Sequence, residues 1–410
     1  MIDLGSAKGL TCRECGASYD LGAAYACMEC FGPLEVAYEF PALTRADIEA
    51  GPTSLWRYSA LLPVRPTAAS EPNLAPGWTR LHRADNLAAE LGMRTLWVKD
   101  DSGNPTHSFK DRVVAVAQSA ARALGLTTLA CASTGNLAHA VAAAAARGGQ
   151  GSVVVIPHDL EAGKTITTAT YGGILLAVEG NYDDVNRLCS EIIGEDFAQD
   201  WGFVNVNIRP YYAEGSKSMG FEIAEQLGWR TPGQVVAPIA SGSLLTKVDK
   251  AWRELAALGL IDEAPYRVFG AQAQGCSPVA QAFDAGWDVV KPVKPSTIAK
   301  SLAIGNPADG PYALDVVRRT GGSISAVSDE DVVDGIRLLA RTEGIFAETA
   351  GGVVVATLRH LLKEGLLDPE AETVILNTGE GLKTLDAVMD FARPSATIAP
   401  DVDAVRAHVC

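Results

Sequence analysis

The chain has 410 residues, of which 48% are hydrophobic and 20% charged, and its formal net charge is -15 at pH 7. This composition is typical of a well-packed globular protein and excludes a disordered or fibrous chain. The acidic balance, without a basic block, argues against sequence-independent binding to nucleic acid or to anionic membranes. The sequence shows neither an export signal nor an apolar stretch of about 18 residues, so we expect a cytoplasmic protein without a membrane span. Its length predicts two packed lobes.

Four of the eight cysteines form two Cys-x-x-Cys pairs near the N-terminus. The pairs are Cys12 with Cys15 and Cys27 with Cys30, and glycines stand near both. In a reducing compartment such pairs indicate thiolate ligation of a metal before disulfides. Two knuckles that face each other would place four sulfurs tetrahedrally, which is the geometry that zinc prefers. The sequence therefore predicts a zinc-ribbon-like unit over residues 1–40 with structural zinc; the alternative is a knuckle that no longer holds metal.

A Pro-rich linker at about 62 to 78 is followed, from about residue 94, by apolar runs that alternate with helical stretches. Continuous apolar strands separated by helices predict parallel sheets covered on both faces. In chain order the predicted elements are strands at 95–99, 128–133, 152–157, 174–178, 234–241, 268–273 and 373–378, with helices at 137–147 and near 243–259.

The stretch NPTHSFKDR, residues 104–112, follows the first of these strands and enters a helix. A lysine in the first turn of a helix lies at the positive end of the helix dipole. That field, together with partial burial beside Phe109, would lower the pKa of Lys110 and produce a neutral, nucleophilic amine. The alternative is a solvated surface lysine, and the neighbouring motifs favour the nucleophile.

Three further strand-to-helix turns carry small polar residues at the place where ligands collect in open α/β sheets. The first turn suits a carboxylate or a ring hydroxyl, although alone it would also be an ordinary helix cap, and the second suits a phosphate held by backbone amides. The residues are Ser133, Thr134, Gly135 and Asn136 in the first turn, Ser241, Gly242 and Ser243 in the second, and Thr378 in the third. A lysine amine, an asparagine turn, a phosphate cradle and a terminal hydroxyl together predict a site for pyridoxal phosphate.

These motifs resemble the fold-type II pyridoxal phosphate enzymes, and among them the threonine synthases. NPTHSFKDR, STGN, SGS, NIRPYYAEGSKS, SLAIGNPADGP, EGIFAETAGG and TGEGLK stand in the order seen in that family. The resemblance extends from Cys12 to about Val388 and includes the branch with an N-terminal CxxC…CxxC unit. It implies a two-lobed, tryptophan synthase β-like α/β fold with parallel-rich sheets flanked by helices, plus the small N-terminal unit. We expect a large cofactor-binding domain at 41–120 and 222–395, a small domain at 121–221 and a C-terminal tail at 396–410.

The resemblance also assigns roles to residues that bind the cofactor. It implies Lys110 as the Schiff-base lysine, Asn136 as the partner of the ring oxygen and Thr378 as the residue that faces the pyridine nitrogen. The residues implied to cradle the cofactor phosphate are Ser241, Gly242, Ser243, Leu244 and Leu245.

The implied reaction converts O-phospho-L-homoserine and water to L-threonine and phosphate, with Lys110 moving protons at Cα and Cβ. The substrate carboxylate would rest on the turn that contains Ser133, Thr134 and Gly135. At the expected phosphate site the sequence departs from many relatives: Tyr212 stands where they have arginine, and Arg209 stands where they have asparagine. Either Arg209 has taken over the bidentate role, helped by Asn207 and Lys217, or the specificity has changed.

Two other functions remain as alternatives. A related enzyme, such as cysteate synthase, in which sulfite adds to phosphoserine, or serine/threonine dehydratase, would keep the cofactor and change the nucleophile or the leaving group. A zinc-ribbon binding module fused to an inactive α/β scaffold would bind no cofactor through a lysine, and the intact Lys110, Asn136 and Thr378 argue against it. His107, where many relatives have glycine, is either a second donor or a packing residue. The resemblance also implies a homodimer that acts on a small anionic amino acid.

Overall fold

The computed structural model describes residues 4–65, 74–133, 135–160 and 162–409. The first sheet of the described chain consists of β1 (Ala7–Cys12), β2 (Ser18–Tyr19) and β3 (Leu34–Tyr38), all antiparallel, with β1 in the centre. Strand β1 ends at Cys12, so the first cysteine pair begins where the strand stops, and the second pair lies in the loop between β2 and β3. This local sheet therefore brings the two cysteine loops to one end of the unit.

The remaining helices and strands follow in chain order. They are α1 (Arg45–Glu49), β4 (Arg80–Arg83), α2 (Asp85–Leu91), β5 (Leu96–Asp100), α3 (Lys110–Ala123), β6 (Thr128–Ala132), α4 (Asn136–Gly148), β7 (Gly151–Pro157), α5 (Ala162–Thr170), β8 (Ile174–Val178), α6 (Tyr182–Ile192), β9 (Trp201–Phe203), α7 (Arg209–Glu214), α8 (Lys217–Gln226), β10 (Gln234–Pro238), α9 (Ser243–Ala257), β11 (Arg267–Ala273), α10 (Pro278–Asp284), α11 (Gly310–Arg319), β12 (Ile324–Val327), α12 (Asp329–Glu343), α13 (Thr349–Lys363), β13 (Thr373–Asn377) and α14 (Val402–Val409).

The largest sheet in the described part of the chain has six strands in the order β12, β11, β10, β13, β5, β4. All neighbouring strands are parallel except β4, which pairs antiparallel with β5 at the edge. Every residue of β10 and of β13 is buried. Fully buried apolar strands are what a parallel sheet covered on both faces requires, and the predicted parallel-rich α/β fold is confirmed.

A second parallel sheet is built from four described strands in the order β8, β7, β6, β9. Strand β7 is almost entirely buried, whereas β8 lies at the sheet edge and most of its side chains are exposed. The run 174–178 is thus a strand, as predicted, but it is not covered on both faces. The domain boundaries proposed from the sequence remain a prediction.

Close packing of two helices fixes one side of the large sheet. Helix α13 packs against β10, β11, β12 and β13, and α12 packs against α13. A Cβ atom added at Gly335 of α12 would lie 2.4 Å from the Gly352 carbonyl oxygen of α13, so the two helices approach more closely than larger residues would allow. This contact holds the N-terminus of α13 beside the carboxyl ends of the strands. Among the described residues, no helix combines the length and the apolar character that a bilayer crossing requires.

Candidate active site

The strand-to-helix turns selected from the sequence meet at one edge of the large sheet. Lys110 begins α3 after β5, Ser243 begins α9 after β10, and Thr378 follows β13 directly. Because β5, β13 and β10 are neighbouring parallel strands, their carboxyl ends lie side by side. Asn136, the first residue of α4, approaches from the four-stranded sheet.

A cavity of about 640 Å³ opens at this edge, and a deeper compartment of about 60 Å³ adjoins it. The predicted residues that line the larger cavity are Lys110, Ser133, Asn136, Arg209, Ser241 and Ser243. The deeper compartment shares Lys110, Asn136, Ser241 and Ser243, and it adds Gly242, Leu244 and Thr378. Part of the outer wall comes from the N-terminal unit, through Tyr25, Ala26, Phe31 and Pro33. The structure therefore brings most of the predicted site residues to one place.

The turn before Lys110 is held by backbone and side-chain hydrogen bonds. The Phe109 amide donates to the Thr378 carbonyl oxygen at 2.9 Å. Asp111 accepts from the Thr106 amide at 2.9 Å and from the Thr106 hydroxyl at 2.8 Å. Asp111 follows Lys110 in the first turn of α3, so these bonds fix the start of the helix and with it the origin of the Lys110 side chain.

The Lys110 amine faces the cavity, 4.8 Å from the centre of the Phe109 ring. Burial lowers the pKa of Lys110 to about 8, and the Glu348 carboxylate opposes this shift. The direction of the shift is the one that the sequence predicts, and burial is its main cause. An amine with this pKa is neutral often enough near neutral pH to attack a carbonyl carbon or to accept a proton.

Asn136 is held by two residues that the sequence analysis did not select. Its Nδ2 atom lies 3.0 and 2.8 Å from the two carboxylate oxygens of Glu348, and its Oδ1 atom accepts from Lys383 Nζ at 3.1 Å. Glu348 is the residue before α13 and is almost fully buried. Burial lowers the pKa of Lys383, while Glu348 opposes the shift. Glu348 lies in the motif EGIFAETAGG and Lys383 in TGEGLK. Both motifs were recognised in the sequence, but no role was assigned to either residue.

The turn after β10 has the geometry of an anion cradle. Gly242 has φ of 95°, and a Cβ atom there would lie 2.7 Å from the Asp309 carbonyl oxygen, so this position requires glycine. Helix α9 starts at the next residue, and the first amides of a helix have no partner within it. Among the described residues, Ser243 Oγ and Ser301 Oγ are buried without a hydrogen-bond partner. The Ser243 amide lies 3.4 Å from Ser241 Oγ, so the amides that follow it and the two unpartnered hydroxyls on the wall of the deeper compartment fit the phosphate of pyridoxal phosphate.

Arg209 reaches the larger cavity, but it is also half of an ion pair. Its Nη2 atom lies 2.6 Å from one carboxylate oxygen of Asp309, and Arg13 Nη1 lies 3.4 Å from the other oxygen. Tyr212, one turn after Arg209 on α7, lines the same cavity. Asp309 precedes α11 and was not selected from the sequence.

Two predicted substrate residues lie elsewhere among the described residues, and their expected roles do not fit their positions. Asn207 is buried outside the cavity wall; its Oδ1 atom accepts from the Phe203 amide at 2.8 Å, and its Nδ2 atom donates to the Trp201 carbonyl oxygen at 3.0 Å. Lys217 is fully buried, and its amine lies 2.8 Å from both Glu214 and Glu254. Both side chains therefore form hydrogen bonds or ion pairs inside the protein and do not reach the substrate cavity.

The turn at the start of α4 serves its own helix as well as the cavity. The Ser133 hydroxyl accepts from the Gly135 and Ala138 amides at 3.0 and 2.9 Å. Gly135 has φ of 130°, and a Cβ atom there would lie 2.3 Å from Lys164 Cδ, so only glycine fits. Thr134 lies outside the described residues. Leu245 is buried in the core and does not line the deeper compartment, whereas Leu244 does.

His107 lies outside the cavity wall and is exposed, so it is not a packing residue. It has φ of 61°, and its Nδ1 atom lies 3.2 Å from the Ser102 carbonyl oxygen and 3.4 Å from a Glu380 carboxylate oxygen. A β-branched side chain would be strained at this backbone angle.

The four N-terminal cysteines form a compact group of sulfur atoms. All four Sγ atoms lie within 4.8 Å of one another, with 3.5 Å between Cys12 and Cys30 and 3.5 Å between Cys15 and Cys27. Tetrahedral zinc with Zn–S bonds of 2.3 Å would separate sulfurs by about 3.8 Å. The Glu14 amide lies 3.4 Å from Cys12 Sγ, a contact that stabilises a thiolate. The donor set fits zinc in a closed, four-thiolate site.

The comparisons with known proteins agree with this geometry. Residues 73–379 match the family described as "Pyridoxal-phosphate dependent enzyme", so the fold and the site define a pyridoxal-phosphate-dependent enzyme. The chain is 35% identical to the threonine synthase of Methanocaldococcus jannaschii, covering 96% of this chain and 98% of the relative. It is 36% identical to the threonine synthase of Methanosarcina acetivorans, covering 97% of each. The chain belongs to the threonine synthase family.

A solved structure supports the fold alone. Diaminopropionate ammonia lyase from Escherichia coli superimposes with a TM-score of 0.66 at 19% identity, covering 85% of this chain and 92% of the other. At this identity the chemistry of the solved enzyme carries no information about the reaction of this chain.

Proposed function

We propose that the protein converts O-phospho-L-homoserine and water to L-threonine and phosphate. The observation that carries the proposal is the Lys110 amine, with its lowered pKa, between the Asn136 turn and the phosphate cradle at Gly242. The threonine synthases that are 35% and 36% identical over nearly the whole chain support the choice of reaction.

The residues that would hold the cofactor surround the deeper compartment. The first turn of α9, from Ser243 onward, would bind its phosphate, Thr378 would face its pyridine nitrogen, and Asn136 would donate to its ring oxygen. Pyridoxal phosphate, when bound, withdraws electrons from the substrate and makes the Cα proton removable. A hydroxyl opposite the pyridine nitrogen cannot protonate the ring as a carboxylate does, which favours elimination and replacement chemistry.

Lys110 would move the protons of the reaction. With a pKa near 8 the amine can accept the Cα proton and, from the same position, reach the adjacent Cβ protons. The Glu348 carboxylate favours the ammonium form of Lys110, so it would stabilise the state in which the lysine holds a proton. Loss of phosphate breaks the bond between Cγ and oxygen, and Cγ gains a proton to become the methyl group. Water then adds its hydroxyl group at Cβ, and Cα regains a proton. The hydroxyl group of the product therefore comes from water.

The two ends of the substrate would bind to different walls of the cavity. The turn of Ser133 and Gly135 leads into the N-terminus of α4, and we assign the substrate carboxylate to this turn and to the first amides of the helix, at Asn136 and Leu137, which line the same cavity. Arg209 lies on the wall of the same cavity and is the cation we assign to the substrate phosphate. Its pairing with Asp309 fixes the position of the guanidinium group.

The zinc-ribbon-like unit is proposed to bind zinc for stability and not for catalysis, since four thiolates leave the metal no open coordination position. Replacement of both Cys12 and Cys15 by serine should abolish zinc binding, measured by atomic absorption, and should lower the unfolding temperature. The single variant Cys276→Ser, outside the unit, should retain the zinc. Unchanged zinc content in the double variant would contradict this assignment.

We also infer a cytoplasmic homodimer. The cysteines of the described chain are free, as expected in a reducing compartment. Edge strand β8, helix α5 and the segment after β13 expose large apolar side chains, which a second copy of the chain would cover. These residues are Ile166, Ile174, Leu176, Leu382, Leu385 and Phe391. Light scattering after size exclusion tests the inference, and a monomeric mass would contradict it.

The experiment that tests the function measures both products from O-phospho-L-homoserine with the purified, cofactor-loaded protein. We expect phosphate and threonine in equal amounts, and neither product from Lys110→Ala. The exposed lysine variant Lys8→Ala is the matched control and should behave as the parent. A protein that binds the cofactor through Lys110 but converts only phosphoserine with sulfite would contradict the proposal and support cysteate synthesis.

A further inference from the structure

Asp309 contacts three parts of the protein: the cavity wall, the N-terminal cysteine unit and the turn after β10. Its carboxylate lies 2.6 Å from Arg209 on the cavity wall and 3.4 Å from Arg13 in the N-terminal unit. Its amide donates to the Ser241 carbonyl oxygen at 2.8 Å, and its carbonyl group packs against Gly242. Asp309 is almost fully buried, so these contacts are weakly screened by water. Asp309 therefore contacts the phosphate cradle, Arg209 and the cysteine unit at the same time.

Arg13 contributes to this cluster without reaching the substrate cavity. Its guanidinium carbon lies 3.5 Å from the centre of the Tyr312 ring, and the side chain lines a separate cavity of about 280 Å³. Arg13 stands between Cys12 and Cys15, and its amide donates to the Pro33 carbonyl oxygen at 3.0 Å. The fold of the cysteine unit thus sets where the Arg13 side chain begins, and Tyr312 sets its direction.

We propose that Arg13 is a positioning residue for the substrate anion, acting through Asp309 on Arg209. This inference rests on the proposed function, in which Arg209 binds the substrate phosphate. It assigns to the N-terminal cysteine unit a part in substrate binding in addition to its part in stability.

The charge of the cluster explains how Arg13 acts. The three residues joined by these ion pairs, two guanidinium groups and one carboxylate, carry one net positive charge. Glu35, which faces Arg13 across the separate cavity, is itself paired with Lys247 and Lys250. Without Arg13, Asp309 and Arg209 form a neutral pair, and Asp309 alone competes with the incoming phosphate for the Arg209 guanidinium group. Arg13 shares the carboxylate, so Arg209 keeps positive charge to offer to an anion.

The variant Arg13→Gln tests the coupling, with inorganic phosphate as the probe and isothermal titration calorimetry on the cofactor-loaded enzyme as the measurement. We expect the dissociation constant for phosphate to rise by at least about fivefold, the size of a typical coupling between sites. The KM for O-phospho-L-homoserine should rise by a similar factor with kcat nearly unchanged, because Arg13 touches neither Lys110 nor the cofactor site. Arg13→Lys keeps the charge and should recover part of the affinity.

Three further variants separate coupling from damage to the N-terminal unit. Lys8→Gln removes a positive charge from the same unit at an exposed ion pair and should leave phosphate affinity unchanged. Tyr312→Leu removes both the ring that holds Arg13 and the hydroxyl group that donates to Glu14, whereas Tyr312→Phe removes the hydroxyl group alone. Tyr312→Leu should weaken phosphate binding in the same direction as Arg13→Gln, and Tyr312→Phe should not.

Parent-like phosphate affinity in both Arg13→Gln and Tyr312→Leu would overturn the inference. A loss of affinity in Lys8→Gln as large as in Arg13→Gln would overturn it too, because it would show a general charge effect. If the parent binds inorganic phosphate but does not convert O-phospho-L-homoserine, the proposed function fails, and the phosphate titrations still decide the coupling.

Discussion

Replacement of Glu222 by glutamine should destabilise the protein because this buried carboxylate joins two buried cations. Arg112 Nη2 lies 2.7 Å from one Glu222 oxygen, and Lys99 Nζ lies 2.7 Å from the same oxygen. All three side chains are fully buried. Removal of one partner from such a network typically costs about 3 to 5 kcal/mol. Arg112 keeps its ion pair with Asp101, but Lys99 loses its carboxylate partner and a net positive charge stays buried. Arg112 is two residues after Lys110, so the network also holds the helix that carries the catalytic amine.

The lowered pKa of Glu222 expresses the same contacts as a dependence of stability on pH. Burial alone raises the pKa of Glu222, but the charges of Arg112 and Lys99 outweigh it and lower the pKa from 4.5 to about 2. A depression of this size corresponds to about 3 kcal/mol of stability from ionisation of the carboxylate. Since the folded-state pKa is depressed, this contribution is fully present above pH 4.5 and is lost as the pH falls towards 2.

Urea unfolding followed by tryptophan fluorescence measures the effect. At pH 7 we expect Glu222→Gln to lose about 3 kcal/mol or more, and the difference from the parent to shrink as the pH falls below about 4.5. Glu39→Gln, which removes an exposed partner of Lys8, should change the stability by less than about 1 kcal/mol. Equal stabilities of parent and Glu222→Gln at pH 7, or a difference that does not depend on pH, would refute the reasoning.

Two further predictions concern the site itself. Glu348→Gln removes the charge that raises the pKa of Lys110. In cofactor-free protein, the pH midpoint for modification of the Lys110 amine by an acylating reagent should therefore fall below 8. An unchanged midpoint would show that Glu348 does not act on the Lys110 amine. Gly242→Ala places a Cβ atom 2.7 Å from the Asp309 carbonyl oxygen at a φ of 95°, so cofactor content, read from visible absorbance, should fall. The matched variant Gly286→Ala, with φ of 66° in open space, should retain the cofactor, and equal content in both variants would contradict the cradle.

The parts of the fold that the sequence predicted well were those with a strong local pattern. The predicted strands at 95–99, 234–241 and 373–378 correspond to β5, β10 and β13 of the large sheet; β10 and β13 are fully buried, and β5 is buried except for the half-buried Trp97 and Asp100. Strand β4, with the sequence RLHR, and strand β12, with ISAV, were missed. The first is a polar edge strand and the second is only four residues long, so neither has the pattern of a covered strand.

Site residues could be predicted from the sequence where a single motif carries the chemical group. They could not be predicted where a residue acts through contacts with residues that are distant in sequence. Lys110 was identified from its own turn, whereas Glu348 and Asp309 act through contacts with Asn136 and Arg209, which are far away along the chain. The expected role of Lys217 was assigned from its closeness to Arg209 in sequence. Lys217 belongs to the next helix, α8, and its amine points to buried carboxylates, which the motif alone did not reveal.

Incubation of the enzyme with O-phospho-L-homoserine in water labelled with oxygen-18 tests the central claim most directly. Because the bond between Cγ and oxygen breaks and water adds at Cβ, the label should appear once in the threonine hydroxyl group and should be absent from the released phosphate. Mass spectrometry of both products reads this distribution. Labelled phosphate together with homoserine would show simple hydrolysis of the ester and would contradict the account.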